Sequence, residues 1–284
     1  MLHGAHLPNG TITPEDLALF VRGRFRAAKL MWYHTQDDVW DLAQKGCEHF
    51  LVRLPDSTDG QRLKGIGEHA RECRAVVERF YEAGVVHFQL DNEPNLLAWG
   101  PDRQWEYQWF LSMVVSELQT VLPSDVKLGL PPLAWTALSD EQKASWLKAL
   151  TNVARRMSFI CVNSYYQSKT GNSMLWTQFG GSAQTFHEWM PTKPIMVTEW
   201  ANSLTQLAEP PPQEEIARYM VAQYPRWLEW AASQPYIHST YVYLIGGTED
   251  WRGFRIDGAI ADAMRAALPS TRKHGPAAYQ PHAS

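Results

Sequence analysis

The segment Pro194-Ile-Met-Val-Thr198 would be apolar on both faces of an extended chain. This pattern is typical of a strand in a parallel sheet that is covered by helices on both sides. Seven other short apolar runs alternate with longer amphipathic segments along the chain, which indicates repeated βα units. The eight predicted strands are Leu2–His6, Lys29–Tyr33, His49–Leu54, His87–Asp91, Lys127–Leu130, Phe159–Asn163, Pro194–Glu199 and Thr240–Ile245.

The segments between these runs carry helix signals. Thr13-Pro14-Glu15-Asp16 offers a hydroxyl cap, a first-turn proline and two acids at a helix start. Eight βα pairs predict the α/β class and a single-domain (β/α)8 TIM barrel. Since no linker interrupts the alternation, we expect one catalytic barrel over residues 1–269. Residues 270–284, rich in small and polar side chains, are predicted to form a flexible tail.

The composition excludes several classes of protein. The 284 residues are 45% apolar and 20% charged, which argues against a disordered chain, and their net charge of −4 argues against nucleic-acid binding. Cys47, Cys73 and Cys161 are too widely spaced for a disulfide framework or a metal knuckle. The first residues lack signal-peptide features, and no apolar run approaches a membrane span. We therefore predict neither nucleic acid nor membrane as a partner. The cytoplasm fits these features, which leave the compartment and the oligomeric state open.

Two glutamates follow predicted strands at the position where a barrel carries its active site. Glu93 lies in Leu90-Asp-Asn-Glu-Pro-Asn95 after the fourth strand, and Glu199 ends the seventh. An acid at the end of a buried strand costs desolvation free energy unless it is paired or used in chemistry. Two carboxyl groups facing each other across a barrel mouth are the arrangement that cleavage of a glycosidic bond requires.

These segments resemble a known group of enzymes. Asn92-Glu93-Pro94 and Thr198-Glu199 are similar to the signature of the clan A retaining glycoside hydrolases, which are barrels with catalytic glutamates on strands four and seven. The stretch Ile160-Cys-Val-Asn-Ser-Tyr-Tyr166 resembles the sixth strand of the β-glucuronidase and β-galactosidase relatives in that clan.

The resemblance implies a role for individual residues. Glu93 would be the general acid/base and Glu199 the nucleophile. Asn92 would bind the sugar 2-hydroxyl, and Tyr165 would donate a hydrogen bond to Glu199, with Tyr166 as the alternative donor. The implied reaction is retaining hydrolysis of β-glycosidic bonds in an oligo- or polysaccharide, and it needs neither a metal nor an organic cofactor.

The sequence also departs from the clan's usual pattern. An arginine near the end of strand two and a tryptophan ending strand eight are expected, whereas the chain has Met31-Trp-Tyr-His34 and Leu244-Ile-Gly-Gly247. Arg53, ending strand three, and Trp251 are candidate substitutes. The chain has 13 Trp, and surplus indole often lines sugar sites. The remaining candidate substrate-binding residues are His6, Trp99, Trp135, Asn163 and Trp200.

Two other functions remain as alternatives. A barrel could keep its sugar cleft and lose turnover, becoming a carbohydrate-binding protein. His3 and His6, with an acid, could instead serve a metal-dependent barrel hydrolase, although residues three apart do not share one face of a strand. The few insertions beyond a minimal barrel favour an open cleft for a polymeric substrate.

Overall fold

The computed structural model describes residues 1–8, 10–96, 98–166, 181–204, 207–246 and 254–267. Eight strands form a closed barrel in chain order, each parallel to its neighbours, with the last strand paired to the first. The predicted tail, residues 270–284, lies outside the described residues. The barrel strands are β1 (Leu2–His6), β2 (Ala27–Met31), β3 (His49–Arg53), β4 (His87–Gln89), β5 (Lys127–Leu130), β6 (Phe159–Tyr166), β7 (Ile195–Asn202) and β8 (Ile237–Val242).

One α-helix follows each barrel strand in the described part of the chain, which confirms the predicted TIM barrel. A two-stranded hairpin, Thr58–Asp59 with Arg62–Leu63, lies in the loop after β3. None of the described helices combines the length and the apolar character needed to cross a bilayer. The helices are α1 (Pro14–Arg22), α2 (Gln36–Gln44), α3 (Ile66–Glu82), α4 (Gln104–Val121), α5 (Asp140–Arg156), α6 (Gly181–Trp189), α7 (Gln213–Ser233) and α8 (Gly258–Ala267).

Capping boxes start three of the helices. At α1, the Thr13 hydroxyl accepts from the Asp16 backbone N–H, and the Asp16 carboxylate accepts from the Thr13 backbone N–H at 2.8 Å. Thr35 and Ser139 begin α2 and α5 in the same way. These caps satisfy backbone donors that a helix start leaves without partners, so they fix where these three helices begin.

The barrel interior contains an apolar cluster in its lower, amino-terminal part and polar side chains toward its carboxyl end, while the rings of His49, His87 and His238 lie close together at the strand starts. A cluster of buried side chains fills the lower part: Ala27, Leu51, Phe159, Cys161, Met196 and Tyr241. Gly129 on β5 makes room for the Phe159 ring, because a Cβ at residue 129 would lie 2.1 Å from that ring. Buried polar residues higher up include His6, Lys29, Gln89, Asn163 and Glu199. The packed lower part therefore forms a floor beneath the polar end.

Strand β7 contains one residue more than its neighbours. Val197 pairs with Val162, but the next pair is Glu199 with Asn163, so Thr198 forms a β-bulge. The pairing with β8 shows the same extra residue. Since Met196 faces the interior, strict alternation would turn Glu199 outward. The bulge reverses this and points Glu199 into the barrel, as bulges beside active sites often do.

Candidate active site

A cleft of about 1000 Å³ opens at the carboxyl ends of the strands. Glu93 and Glu199 both line it, together with Asn92 and Asn163. Aromatic side chains from four βα units form much of the remaining wall: Trp32, Tyr33, Trp135, Tyr165, Tyr243 and Phe254. The cleft therefore combines two carboxyl groups with flat apolar surfaces, which is the chemistry that suits a sugar chain.

The loop that carries Glu93 has an unusual backbone. Asp91 and Glu93 have φ values of 47° and 46°, in the left-handed region that non-glycine residues rarely adopt. Hydrogen bonds hold this shape: the Glu93 backbone N–H donates to the Pro132 carbonyl at 3.0 Å. The buried Asp91 carboxylate accepts from the Ser57 hydroxyl, the Tyr107 hydroxyl and the Asn92 backbone N–H. Two such residues thus lie in the loop that presents the carboxyl group of Glu93.

Glu199 is almost fully buried and is held through both of its oxygens. Lys29 Nζ donates to Oε1 at 2.7 Å, while Tyr165 Oη donates to Oε2 at 2.6 Å. Burial alone would raise the pKa of Glu199, but the charges beside it, with Lys29 the largest, lower that pKa to about 2. Burial raises the pKa of Tyr165 well above 10, so its hydroxyl keeps the proton that it donates. Glu199 is therefore an ionised and oriented carboxylate at neutral pH.

Asn163 links the two glutamates. Its Nδ2 donates to Glu93 Oε1 at 2.9 Å and lies 3.3 Å from Glu199 Oε2. Because both contacts meet at one nitrogen, these two carboxylate oxygens cannot be more than about 6.2 Å apart. Burial, and next the negative charge of Glu199, raise the pKa of Glu93. The neighbouring carboxyl groups are thus shifted in opposite directions, one toward the acid form and one toward the ionised form.

Other residues expected at the site also line the cleft. Asn92 Oδ1 accepts from Gln89 Nε2 at 3.2 Å, and Arg53 forms two hydrogen bonds with Asp56, at 2.7 and 2.8 Å. His6 lies with its Nε2 3.7 Å from Glu199 Oε1.

Trp135 is half buried, with its ring 5.1 Å from that of Phe186 and the Lys143 ammonium 5.7 Å away. It therefore presents part of its indole to the cleft.

Two tryptophans expected to stack against substrate do not reach the cleft, so those predictions are wrong. Trp200 is fully buried on the outside of the barrel, where its ring stacks on Trp227 at 4.0 Å. The bulge at Thr198 is the physical reason, because it turns Glu199 inward and residue 200 outward. Trp99 packs against Tyr107 and donates its indole N–H to the Ser57 hydroxyl. Trp251 lies outside the described residues.

Sequence reasoning missed several residues of the site. Lys29 supplies the cation that contacts Glu199, while Arg53, the expected substitute for a strand-two arginine, pairs with Asp56. Tyr243 and Phe254 are the described aromatic residues near the end of β8, with ring centroids 5.7 Å apart.

Trp32 and Tyr33 follow β2 and are 40% and 38% exposed. In the sequence they end the predicted second strand, Lys29–Tyr33, and the end of a barrel strand is where active-site residues lie, so this position could have identified them.

The histidine pair considered for a metal site is not assembled. His3 packs beside the Phe25 ring at 4.6 Å, whereas His6 faces Glu199. Among the residues that the structure describes, no group of three His, Cys, Asp or Glu side chains has the geometry to hold a metal ion.

The closed barrel with two neighbouring carboxyl groups at its mouth is the architecture of the TIM-barrel glycoside hydrolases. Residues 92–261, more than half of the chain, match the family described as the glycosyl hydrolase catalytic core, and the chain belongs to this family. It is therefore a glycoside hydrolase. No curated protein matches the chain in sequence.

Solved structures share the fold. A GH128 subgroup I endo-β-1,3-glucanase from Amycolatopsis mediterranei, in complex with laminaritriose, has a TM-score of 0.61 at 15% identity, with 94% of this chain and 99% of that chain covered. A GH128 subgroup II endo-β-1,3-glucanase from Sorangium cellulosum has a TM-score of 0.59 at 14% identity, with coverages of 95% and 100%. A glucosidase from Croceicoccus marinus has a TM-score of 0.60 at 14% identity, with 94% of this chain and 65% of that chain covered. At these identities the likeness concerns the fold alone.

Proposed function

We propose that this glycoside hydrolase cleaves β-glycosidic bonds with retention of configuration, with Glu199 as the nucleophile and Glu93 as the general acid/base. The observation that carries the proposal is the shared contact with Asn163, which limits the separation of the two carboxylate oxygens to about 6.2 Å. Retaining enzymes hold their carboxyl groups about 5–5.5 Å apart, whereas inverting enzymes need about 6.5–9.5 Å to fit a water.

The reaction has two steps. Glu199 attacks the anomeric carbon while Glu93 gives its proton to the departing oxygen, which leaves a glycosyl ester on Glu199 and a carboxylate on Glu93. Glu93 then takes a proton from the water that displaces Glu199 from the sugar. The opposite pKa shifts of the two groups support this division of roles, because the nucleophile must begin ionised and the acid must begin protonated.

The proposed substrate is a β-1,3-linked glucan attacked within the chain. The similar structures from Amycolatopsis mediterranei and Sorangium cellulosum are endo-β-1,3-glucanases, and the first contains laminaritriose. The aromatic residues along the cleft support binding of several sugar units. In this proposal Asn92 binds the 2-hydroxyl of the sugar at the cleaved bond, and Trp135 stacks on a neighbouring unit.

The test compares two variants with a matched control. Glu199→Ala should remove hydrolysis of every β-glycoside, since no covalent intermediate can form. Glu93→Ala should hurt substrates with poor leaving groups most, because a good leaving group needs no protonation in the first step. The second step still lacks its base, and azide, which needs none, should restore turnover as the β-glycosyl azide. Glu117→Ala removes an exposed glutamate near the end of α4 and should behave like the native enzyme.

Product stereochemistry provides an independent check. Proton NMR of the first product should show the β-anomer before mutarotation. An initial α-anomer would overturn the retaining mechanism. A native protein that binds laminarin oligosaccharides but hydrolyses no β-linked glucan, mannan, xylan or aryl glycoside would instead be a carbohydrate-binding barrel.

A further inference from the structure

A lysine lies inside the barrel directly against the carboxylate of Glu199. Lys29 is the central residue of β2, and its side chain is fully buried. Its Nζ lies 2.7 Å from Glu199 Oε1. A buried ammonium group costs several kcal/mol in desolvation unless a charged partner offsets that cost. Each of the two charges therefore offsets part of the desolvation cost of burying the other.

The two oxygens of Glu199 have different surroundings. Oε2 accepts a hydrogen bond from Tyr165 Oη. It also contacts Asn163 Nδ2, which donates to Glu93 Oε1 as well. Oε1 faces Lys29 and has His6 as a more distant neighbour at 3.7 Å. Neutral donors orient one oxygen, and Lys29 contacts the other; burial lowers the pKa of this lysine, while the charge of Glu199 and the hydrogen bond to it act to raise that pKa.

We propose that Lys29 is a positioning residue: a fixed counter-cation that keeps Glu199 ionised before attack and favours its release as a carboxylate from the glycosyl-enzyme. The second half of this statement rests on the proposed function. When the ester forms, Glu199 loses its negative charge and Glu93 gains one, so Lys29 is left against a neutral group. Hydrolysis of the ester restores the contact between opposite charges. Lys29 thus lowers the free energy of the products of the second step.

Near neutral pH, the groups around this pair do not replace Lys29 as the counter-cation of Glu199. Burial lowers the pKa of His6 to about 3, so its imidazole is neutral, and burial raises the pKa of Cys161, which keeps its thiol protonated. The charge of Arg53 also acts on the pair, but its guanidinium is hydrogen-bonded to Asp56. Glu93 from the loop after β4 and Tyr165 from β6 also face the pair.

The first experiment requires no substrate. Carboxyl carbons of glutamate are labelled with ¹³C, and the Glu199 signal, identified by its absence in Glu199→Gln, is titrated by NMR in the native protein and in Lys29→Met. Glu199 should ionise at least one pH unit higher in Lys29→Met. Lys29→Gln, which keeps a hydrogen-bond donor without the charge, should show the same shift and provides a second variant if Lys29→Met does not fold. Lys127→Met, an exposed lysine at the start of β5, should leave the titration unchanged.

The second experiment follows the covalent intermediate. An aryl β-glycoside with a good leaving group is mixed with each protein at a pH above the shifted ionisation of Glu199, and the glycosyl-enzyme is measured by intact mass. Lys29→Met should release the sugar about tenfold more slowly and accumulate the intermediate, whereas Lys127→Met should match the native enzyme.

The two experiments test different parts of the proposal, and different results would overturn each part. An unchanged titration of Glu199 in both Lys29→Met and Lys29→Gln would overturn the role of Lys29, whatever the enzyme hydrolyses. A slower Lys29→Met enzyme without accumulated intermediate would overturn the part concerning release. If the native protein formed no covalent intermediate with any β-glycoside, the retaining mechanism would fail, and the titration would still test the ion pair.

Discussion

Tyr165→Phe removes one hydroxyl from the site and leaves the ring. The lost hydrogen bond joins Tyr165 Oη to Glu199 Oε2 at 2.6 Å. The ring has aromatic neighbours, with Tyr243 and Phe254 both 6.0 Å away between centroids, so phenylalanine should occupy the same place. The change therefore tests the hydrogen bond rather than the packing.

The expected loss follows from the strength of that bond. A hydrogen bond to a charged group contributes about 1.5–3 kcal/mol, and each ~1.4 kcal/mol changes a rate tenfold. We expect kcat/KM to fall about ten- to hundredfold, because the nucleophile is less well oriented toward the anomeric carbon. The loss should be incomplete, since Lys29 and Asn163 still contact Glu199.

The assay measures kcat/KM on an aryl β-glycoside and on a β-1,3-glucan, with thermal unfolding as the check on folding. Tyr166→Phe is the matched comparison, because Tyr166 is the next residue on β6 and was the alternative donor; its side chain belongs to the core cluster around the barrel and also borders the cleft. It should change the rate less than threefold. Full activity of Tyr165→Phe together with a crippled Tyr166→Phe would refute the assignment of the hydrogen-bond donor.

Three further predictions follow from the site. Activity should fall as the pH rises through the pKa of Glu93, which lies above its usual value near 4.5, because the general acid then loses its proton. On the acid side, activity should persist toward pH 2 while the protein stays folded, because Glu199 stays ionised. A pH profile of the native enzyme checks both limbs, and the profile of Glu93→Gln should lack the basic limb. Trp135→Ala should raise KM for a glucan about tenfold with little change in kcat on an aryl glycoside, and an unchanged KM would remove Trp135 from the binding surface. Trp200→Ala should lower the free energy of unfolding by about 3–5 kcal/mol in urea titrations, whereas stability equal to that of the native protein would contradict its buried position.

Much of the fold could be predicted from the sequence because a parallel barrel buries its strands on both faces. Each predicted strand overlaps one observed barrel strand, but the bounds differ. The eighth strand was expected at Thr240–Ile245 and lies at Ile237–Val242. Beyond Val242 the chain stays buried, but Ile245 donates its N–H to His6 and Leu244 bonds to Phe254. Apolar periodicity reports burial, and it does not distinguish a strand from a buried loop.

The two glutamates could be located for a similar reason, since acids at the ends of apolar runs are conspicuous. The sequence did not show in the same way on which side of the strand the residues next to these glutamates lie. An alternating strand pattern carries no sign of the extra residue in β7, so the sequence did not indicate that Trp200 faces away from the cleft. The side of a strand on which a residue lies depends on pairing with both neighbouring strands, which is a property of the assembled barrel.

Lys29 was missed because the second strand was predicted to begin at that residue, where solvent could hydrate its ammonium group. The strand begins two residues earlier, and the lysine lies between apolar neighbours inside the barrel. A cation at such a position needs a buried anion, and Glu199 provides it. The ion pair that makes this lysine tolerable is therefore the same interaction that holds Glu199 in its ionised form. It also means that removing either partner leaves an uncompensated buried charge, a change that costs about 3–5 kcal/mol in other proteins. Loss of activity in a Glu199 variant therefore reports on the nucleophile only when the variant is shown to remain folded.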